Sequence, residues 1–107
     1  MGFPMVRRVA DVFDALAAPA RRAIFDVLVQ RDDQTLFEIV GRLAADHDVD
    51  LTRQAISQHL AVLEEAGLVT SRREGRYKFH SVDTAPLRGA VARWLDPEVR
   101  ECRSVST

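Results

Sequence analysis

The sequence predicts a mainly α-helical domain that carries one small β-hairpin. Five segments repeat apolar residues at the three- and four-residue spacing of an amphipathic helix. After Gly67 this spacing gives way to two short, partly alternating segments of the kind that pair as strands. A chain of 107 residues has room for one domain, so we assign residues 1–107 to a single folding unit.

Proline and polar residues mark the ends of the first three helices. Helix one has an apolar stripe that stops before Pro19, formed by Val9, Val12, Phe13 and Leu16. Pro19 suits the first turn of helix two, which we expect to end near Arg31 because Asp32-Asp33-Gln34 is typical of a polar connector. Helix three extends from Leu36 to about Ala45, and an aspartate-rich loop follows it.

The fourth helix leads directly into the hairpin. Thr52 can cap its N-terminus by accepting from a free backbone N–H, and Gly67 can end it because glycine takes the left-handed conformation without a Cβ penalty. The two predicted strands are residues 68–73 and 76–82, joined by Glu74-Gly75. This hairpin is expected to protrude as a wing.

Helix five begins at Pro86 and completes the order α-α-α-α-β-β-α of a winged helix-turn-helix domain. Helices three and four form the helix-turn-helix, about residues 35–67, and the hairpin forms the wing, about residues 68–82. Helices one and five, about residues 7–17 and 85–95, are expected to join two copies of the chain. Their apolar residues exceed what a small core readily buries, and the predicted dimer contacts are Val9, Phe13, Trp94 and Leu95. The alternative is that Trp94 packs inside its own monomer.

Helix four carries an apolar face and an opposite polar face. At about 100° per residue, Ile56, Leu60 and Leu63 cluster on the core side. The N-terminal half of the polar face is expected to read bases in the major groove of double-stranded DNA, because Glu64 and Glu65 in the other half would be repelled by phosphates. The predicted DNA-contacting residues of this segment are Thr52, Arg53, Gln54, Ser57, Gln58, His59 and Ala61.

Basic residues surround Gly75 in the hairpin and are expected to touch the DNA backbone or minor groove: Arg72, Arg73, Arg76 and Lys78. The chain as a whole has a formal net charge of -1. Residues 52–80 carry +2, whereas residues 1–51 carry -3 and residues 81–107 carry 0, so the basic excess falls on the predicted DNA-facing segment. The alternative is that these charges only keep an exposed hairpin soluble and unpaired at its edge.

Residues 52–69, with the sequence TRQAISQHLAVLEEAGLV, resemble the recognition helix and first wing strand of the ArsR-type (arsenic-repressor-like) winged-helix regulators. Residues 16–24 and 74–79 resemble the same family, so the similarity covers most of residues 9–95. The resemblance implies a homodimer joined mainly through the first and last helices. It also implies repression of a promoter, often relieved when a metal or another signal binds.

The ligand patterns of the metal-sensing members are missing from the sequence. Helix three has no cysteine where thiolate sensors of the family carry a pair, and residues 84–95 contain no aspartate or histidine where the other common site lies. Residues 46–50 briefly resemble a calcium loop, but Leu51 and Ser57 occupy the positions that need glycine and glutamate. We therefore expect no metal and no cofactor, with a metal-responsive repressor that has an atypical site as the alternative.

The remaining features favour a cytoplasmic bacterial regulator over other classes. No apolar run approaches the roughly 20 residues of a membrane span, and the N-terminus lacks the continuous apolar stretch of a signal peptide. Cys102, the single cysteine, cannot form an internal disulfide. The sequence contains neither a glycine-rich phosphate loop nor a credible catalytic triad, so we expect no enzyme.

The expected partners are a near-palindromic operator in double-stranded DNA and a second copy of the chain, with no membrane contact. A winged-helix module that binds proteins without reading DNA is the alternative from another class. Such a module would expose more apolar residues on helix four than Ala61.

Overall fold

The computed structural model describes residues 12–95 and confirms the predicted element order. The helices are α1 (residues 12–15), α2 (Pro19–Gln30), α3 (Leu36–Asp46), α4 (Arg53–Glu65) and α5 (Ala85–Leu95). The strands are β1 (Gln34–Thr35), β2 (Val69–Glu74) and β3 (Tyr77–Val82), which form an antiparallel sheet of order β1-β3-β2. The predicted dimer contact Val9 lies outside the described residues.

The core lies where α1 to α4 meet the base of the hairpin. Each predicted apolar stripe contributes to it, with Ile24 and Leu28 from α2 and Ile39 from α3 fully buried. In α4, Ile56, Leu60 and Leu63 are at most 3% exposed. Burying these three side chains fixes the rotation of α4 about its axis, so its opposite face must point to solvent.

Strand β1 is a correction to the sequence prediction, which placed Gln34 in a polar connector. Gln34 is only 1% exposed and pairs with His80 of β3. Its side-chain amide donates to the carbonyl oxygen of Val27 at 3.1 Å and also to that of Arg31. These bonds satisfy the buried amide nitrogen, and the pairing joins residues 46 positions apart, which a local pattern cannot detect.

Side-chain caps begin both helices of the helix-turn-helix. The predicted cap at Thr52 is confirmed, since its hydroxyl accepts from the N–H of Ala55 at 3.1 Å. At α3 the structure adds a capping box: Thr35 accepts from the N–H of Glu38 at 3.2 Å, and the Glu38 carboxylate accepts from the N–H of Thr35 at 2.9 Å. The start of each helix is therefore specified by local chemistry.

Gly67 ends α4 and turns the chain into the wing, as predicted. Its φ of +81° allows a complete Schellman motif, in which the N–H of Gly67 donates to the carbonyl of Glu64 at 3.0 Å. The N–H of Leu68 donates to the carbonyl of Leu63 at 2.9 Å, and the Leu68 side chain is fully buried. This motif sets the direction in which the chain leaves α4 and enters β2.

The hairpin turn lies one residue later than predicted. Glu74 pairs with Tyr77, so the two turn residues are Gly75 and Arg76, and the prediction of Glu74-Gly75 is wrong by one position. Gly75 has a φ of +63° at the first turn position, which is the pattern of a type II′ turn. The turn therefore centres where glycine can supply the positive φ, and Arg76 stands at the tip of the wing.

We predict that Gly67→Ala destabilises the protein by roughly 1–2 kcal/mol, because alanine at this φ is strained. A Cβ there would also lie 3.4 Å from Cγ of Pro86. Gly41→Ala is the matched control, since Gly41 lies inside α3 with open space around its Cβ position. It should stabilise by roughly 0.5–1 kcal/mol. Urea unfolding measures both changes, and equal effects of the two substitutions would contradict the role assigned to Gly67.

Candidate DNA interface

Six of the seven residues predicted to contact DNA from helix four share an exposed surface. The residues Thr52, Arg53, Gln54, Ser57, Gln58 and Ala61 are all exposed. Gln54, Gln58 and Ala61 lie opposite the buried Ile56 and Leu60, with Ser57 on the flank. Thr52 and Arg53 stand at the N-terminal end of the helix. The surface presents amides and a hydroxyl that can both donate to and accept from base edges.

An exposed aromatic ring stands beside this surface. Phe37 of α3 is 71% exposed, and the guanidinium carbon of Arg53 lies 6.0 Å from its ring centroid. This distance is within the range of a cation–π contact. Phe37 was not among the predicted site residues, because its place beside α4 depends on the packing of the two helices.

His59, the seventh predicted residue, is half-buried on the flank of α4 next to α2. Its Nδ1 lies 3.2 Å from Nη1 of Arg21. Burial and the nearby positive charge of Arg21 lower the pKa of His59 below its ordinary value, so the ring is neutral at pH 7. The side chain is therefore engaged with the protein's own second helix rather than presented with Gln58.

Arg72, in the middle of strand β2, is also engaged within the protein. Its guanidinium contacts the carboxylates of Asp33 at 2.7 Å and Glu74 at 2.9 Å and stacks 4.7 Å from the ring centroid of Phe79. Its prediction as a DNA contact rested on its charge and its place near Gly75 in the hairpin, whereas the partner Asp33 is 39 positions away in the chain. We assign Arg72 to holding the wing in place.

The other basic residues of the wing form a cationic cluster, defined here as Arg73, Arg76 and Lys78. Arg73 of β2 stands directly opposite Lys78 of β3, and all three side chains are exposed. Within residues 12–95, the ion pairs involve other arginines and leave this cluster without a carboxylate partner. Like charges in directly opposed positions repel each other, which an anion lying between them would relieve.

A groove of about 590 Å³ lies between this surface of α4 and two residues of the cationic cluster, Arg76 and Lys78. Among its other lining residues, Ser57 belongs to α4, Phe37 to α3 and Tyr77 to the hairpin. Cations suit phosphates and apolar rings suit the sugar faces of a nucleic-acid strand. Tyr77, 58% exposed, is a second residue that the sequence prediction did not assign to the site.

His80 lies in strand β3 of the wing and is buried. Burial and the charge of Lys78 lower its pKa, while Glu64 acts in the opposite direction. The net effect is a neutral imidazole at pH 7. The positive charge of the wing therefore comes from its arginines and lysine.

Three of the four predicted dimer contacts lie within the described residues and are exposed. The ring centroids of Phe13 in α1 and Trp94 in α5 are 6.1 Å apart, and the two side chains are 40% and 54% exposed. Leu95, next in the chain, is 71% exposed. We call these three residues the α1–α5 patch. Trp94 contacts its own monomer through Phe13, yet over half of its surface remains accessible.

Residues 12–95 contain neither a metal-binding cluster nor a membrane-spanning helix. Histidine, cysteine and carboxylate side chains in this range do not assemble in groups of three or more that could hold a metal ion. The described helices are also too short and too polar to cross a membrane.

Comparison with known proteins identifies a family and relatives of this chain. Residues 16–72 match a family model described as a helix-turn-helix domain. The chain is 44% identical to the HTH-type transcriptional regulator YuzN of Bacillus subtilis over 79% of this chain and 92% of that protein. It is 31% identical to the transcriptional repressor SdpR of Bacillus subtilis over 79% of this chain and 86% of that protein.

Solved structures share the fold. An ArsR-like transcriptional regulator from Rhodococcus sp. RHA1 superposes with a TM-score of 0.69 at 28% identity, covering 97% of this chain and 92% of that one. A homodimeric winged helix-turn-helix DNA-binding domain from Mycobacterium bovis, a possible ArsR-family regulator, has a TM-score of 0.65 at 25% identity. It covers 91% of this chain and 85% of the other.

The two neighbouring wing arginines should differ in their effect on stability. Arg72→Ala removes two ion pairs and a ring contact, so the midpoint of urea unfolding should fall. Arg73→Ala removes one of two opposed cations, so the midpoint should stay level or rise. Both substitutions remove one positive charge from the same strand, which makes each the control for the other. A larger loss of stability from Arg73→Ala than from Arg72→Ala would contradict this division of roles.

Proposed function

Because this chain belongs to the ArsR-type winged helix-turn-helix transcriptional regulators, we propose that it is a homodimeric repressor of a near-palindromic operator. One observation carries the proposal. An exposed polar face of α4 reaches a groove through Ser57, and Arg76 and Lys78 of the cationic cluster, which has no carboxylate partner among the described residues, line the same groove. This arrangement offers base-edge readout and phosphate binding side by side.

In this proposal the N-terminal half of α4 enters the major groove. Gln54 and Gln58 are the candidates for bidentate bonds to adenine, and Ser57 can donate to or accept from a base edge. Ala61 is placed to meet a thymine methyl group. The α4 surface remains polar apart from Ala61 and the partly exposed Val62, which favours DNA over a protein partner.

The cationic cluster binds the sugar–phosphate backbone. Arg76 and Lys78 would bind a strand that runs along the groove, with Arg73, opposite Lys78 in the hairpin, and Arg53, beside α4, as further phosphate contacts. These contacts supply affinity and register without reading sequence. Arg72 contributes indirectly by holding the wing at its angle to α4.

Two copies of the chain join through the α1–α5 patch. Its exposed rings and Leu95 are apolar surface of the kind that association buries, and the structural relative from Mycobacterium bovis is a homodimer. The two recognition helices would then reach successive major grooves about 34 Å apart. A two-fold symmetric protein accordingly requires a near-palindromic site.

In this proposal repression follows from occupancy of the operator, and one relative is named a transcriptional repressor. The protein acts by binding rather than by catalysis, and it does so in the cytoplasm with the DNA. The sequence patterns of the family's metal sites are missing, so we propose a repressor that needs no metal ligand.

Selection from random double-stranded DNA at about 150 mM salt tests the proposal, since nonspecific binding is weak under this condition. We expect enrichment of one near-palindromic sequence. Gln58→Ala should then weaken binding to that operator by about 1–3 kcal/mol and relax the preference at one base pair per half-site. Fluorescence anisotropy with single-base operator variants measures both effects.

Arg76→Ala is the matched control for base readout. It should weaken binding to all sequences alike and reduce the slope of log affinity against log salt by about one unit for each phosphate that the variant no longer neutralises. Failure of the wild-type protein to enrich any sequence would overturn the proposed function. An unchanged operator affinity for Gln58→Ala would overturn only the assignment of Gln58.

Trp94→Glu should convert the dimer into monomers, because it places a charge in an apolar interface. We expect at least a roughly tenfold weaker dimer by sedimentation equilibrium at micromolar concentration, with a matching loss of operator affinity. Val29→Glu is the control, since Val29 of α2 is similarly exposed, at 55%, but lies outside the α1–α5 patch. A wild-type protein that sediments as a monomer, or a Trp94→Glu variant that remains dimeric, would contradict this interface.

A further inference from the structure

We propose that Arg21 is a positioning residue that sets the recognition helix α4 relative to the dimer helix α1. This inference rests on the proposed function, since it concerns how a dimer presents its two reading surfaces. Arg21 lies in the first turn of α2, between the two elements, and is half-buried. Its sequence position alone predicts no such role.

The guanidinium of Arg21 bridges α1 and α4. Its Nε donates to the carbonyl oxygen of Ala15 at 2.7 Å, and Nη2 donates to that of Asp14 at 3.4 Å. The Ala15 carbonyl belongs to the end of α1, where a helix runs out of N–H groups to satisfy its carbonyls, whereas the Asp14 carbonyl also accepts from the N–H of Ala17 at 3.1 Å. Nη1 lies 3.2 Å from Nδ1 of His59 in α4. One rigid planar group thus holds both helices at once.

The contact with His59 has a defined direction. Arginine has donors and no acceptor, so Nδ1 of His59 must be the acceptor and the proton of the neutral ring sits on Nε2. The lowered pKa of His59 agrees with this neutral form. A side chain that accepts a hydrogen bond at this position is therefore required, which a glutamine could also supply.

The two ends of this bridge belong to the two functional surfaces. Asp14 and Ala15 directly follow Phe13, whose ring packs on Trp94 in the α1–α5 patch. His59 directly follows Gln58 on α4. A shift of α1 at the dimer interface is therefore transmitted to the base-reading residues through Arg21, so its contacts should set the spacing at which two half-sites are read.

Arg22 provides a matched control within the chain. Its guanidinium also caps the end of α1, donating to the carbonyl oxygen of Leu16 at 2.7 Å. Among the described residues, the Arg22 side chain makes no other hydrogen bond and none to α4. Arg21 and Arg22 are adjacent arginines that bind the same end of α1. They differ in the contact with His59, which Arg21 makes and Arg22 does not.

The experiment is a double-mutant cycle on the full-length protein with the selected operator, read by anisotropy. Arg21→Ala and His59→Ala should each weaken operator binding about 5- to 20-fold, and the double variant should be no weaker than either single one. His59→Gln should return affinity to within about twofold of wild type. Arg22→Ala should also stay within about twofold.

A second readout separates positioning from simple loss of stability. Inserting one base pair between the half-sites should weaken wild-type binding strongly. Arg21→Ala should lower the ratio of affinities for the original and the lengthened operator by about fivefold or more. If Arg21→Ala does not fold, His59→Ala carries the test, because it leaves the caps of α1 intact. Both variants should retain wild-type binding to random-sequence DNA at low salt, where phosphate contacts dominate.

The possible failures are distinguishable. If the wild-type protein selects no operator, the proposed function fails and this inference falls with it. If the wild type binds its operator but Arg21→Ala matches Arg22→Ala, only the role of Arg21 is overturned. Additive losses for Arg21→Ala and His59→Ala would overturn it as well, since the two residues would then act independently.

Discussion

The burial of one face of α4 is the constraint on which the rest of the molecule depends. Ile56, Leu60 and Leu63 are inserted into the core, and each buried aliphatic side chain of this size contributes roughly 1.5–3 kcal/mol to folding. No other rotation of the helix buries these three residues. The polar face with Gln54 and Gln58 must therefore face outward, so the reading surface is a direct consequence of core packing.

The wing depends on the same helix and on two acidic residues that precede β1. The Schellman motif at Gly67 sets where β2 begins. Where β3 ends, the Asp32 carboxylate accepts from the N–H of Val82 at 2.8 Å, and Asp33, with a φ of +63°, pairs with Arg72. The strained turn at Asp33 is thus compensated by contacts that brace the hairpin, and Arg73, Arg76 and Lys78 keep no carboxylate partner among the described residues.

This use of charge explains how a protein with a net charge of -1 can present a basic surface. Asp33 and Glu74 are paired with Arg72 rather than with the cationic cluster, and Glu64 accepts a hydrogen bond from Ser71 at 2.6 Å. Whole-chain charge is therefore a poor guide to DNA binding. The distribution of charge within one hairpin decides the local potential.

The sequence by itself determined the element order, the buried and exposed faces of α4, the cap at Thr52 and the end at Gly67. Each of these depends on residue spacing or on the conformational preference of a single residue, which are local properties of the chain. Only the tertiary structure decided that Gln34 forms a strand, that Arg72 and His59 are engaged by Asp33 and Arg21, and that Phe37 and Tyr77 line the groove. Those outcomes depend on pairs of residues far apart in sequence, and a partner brought near by folding decides whether a charged or polar side chain is available to DNA.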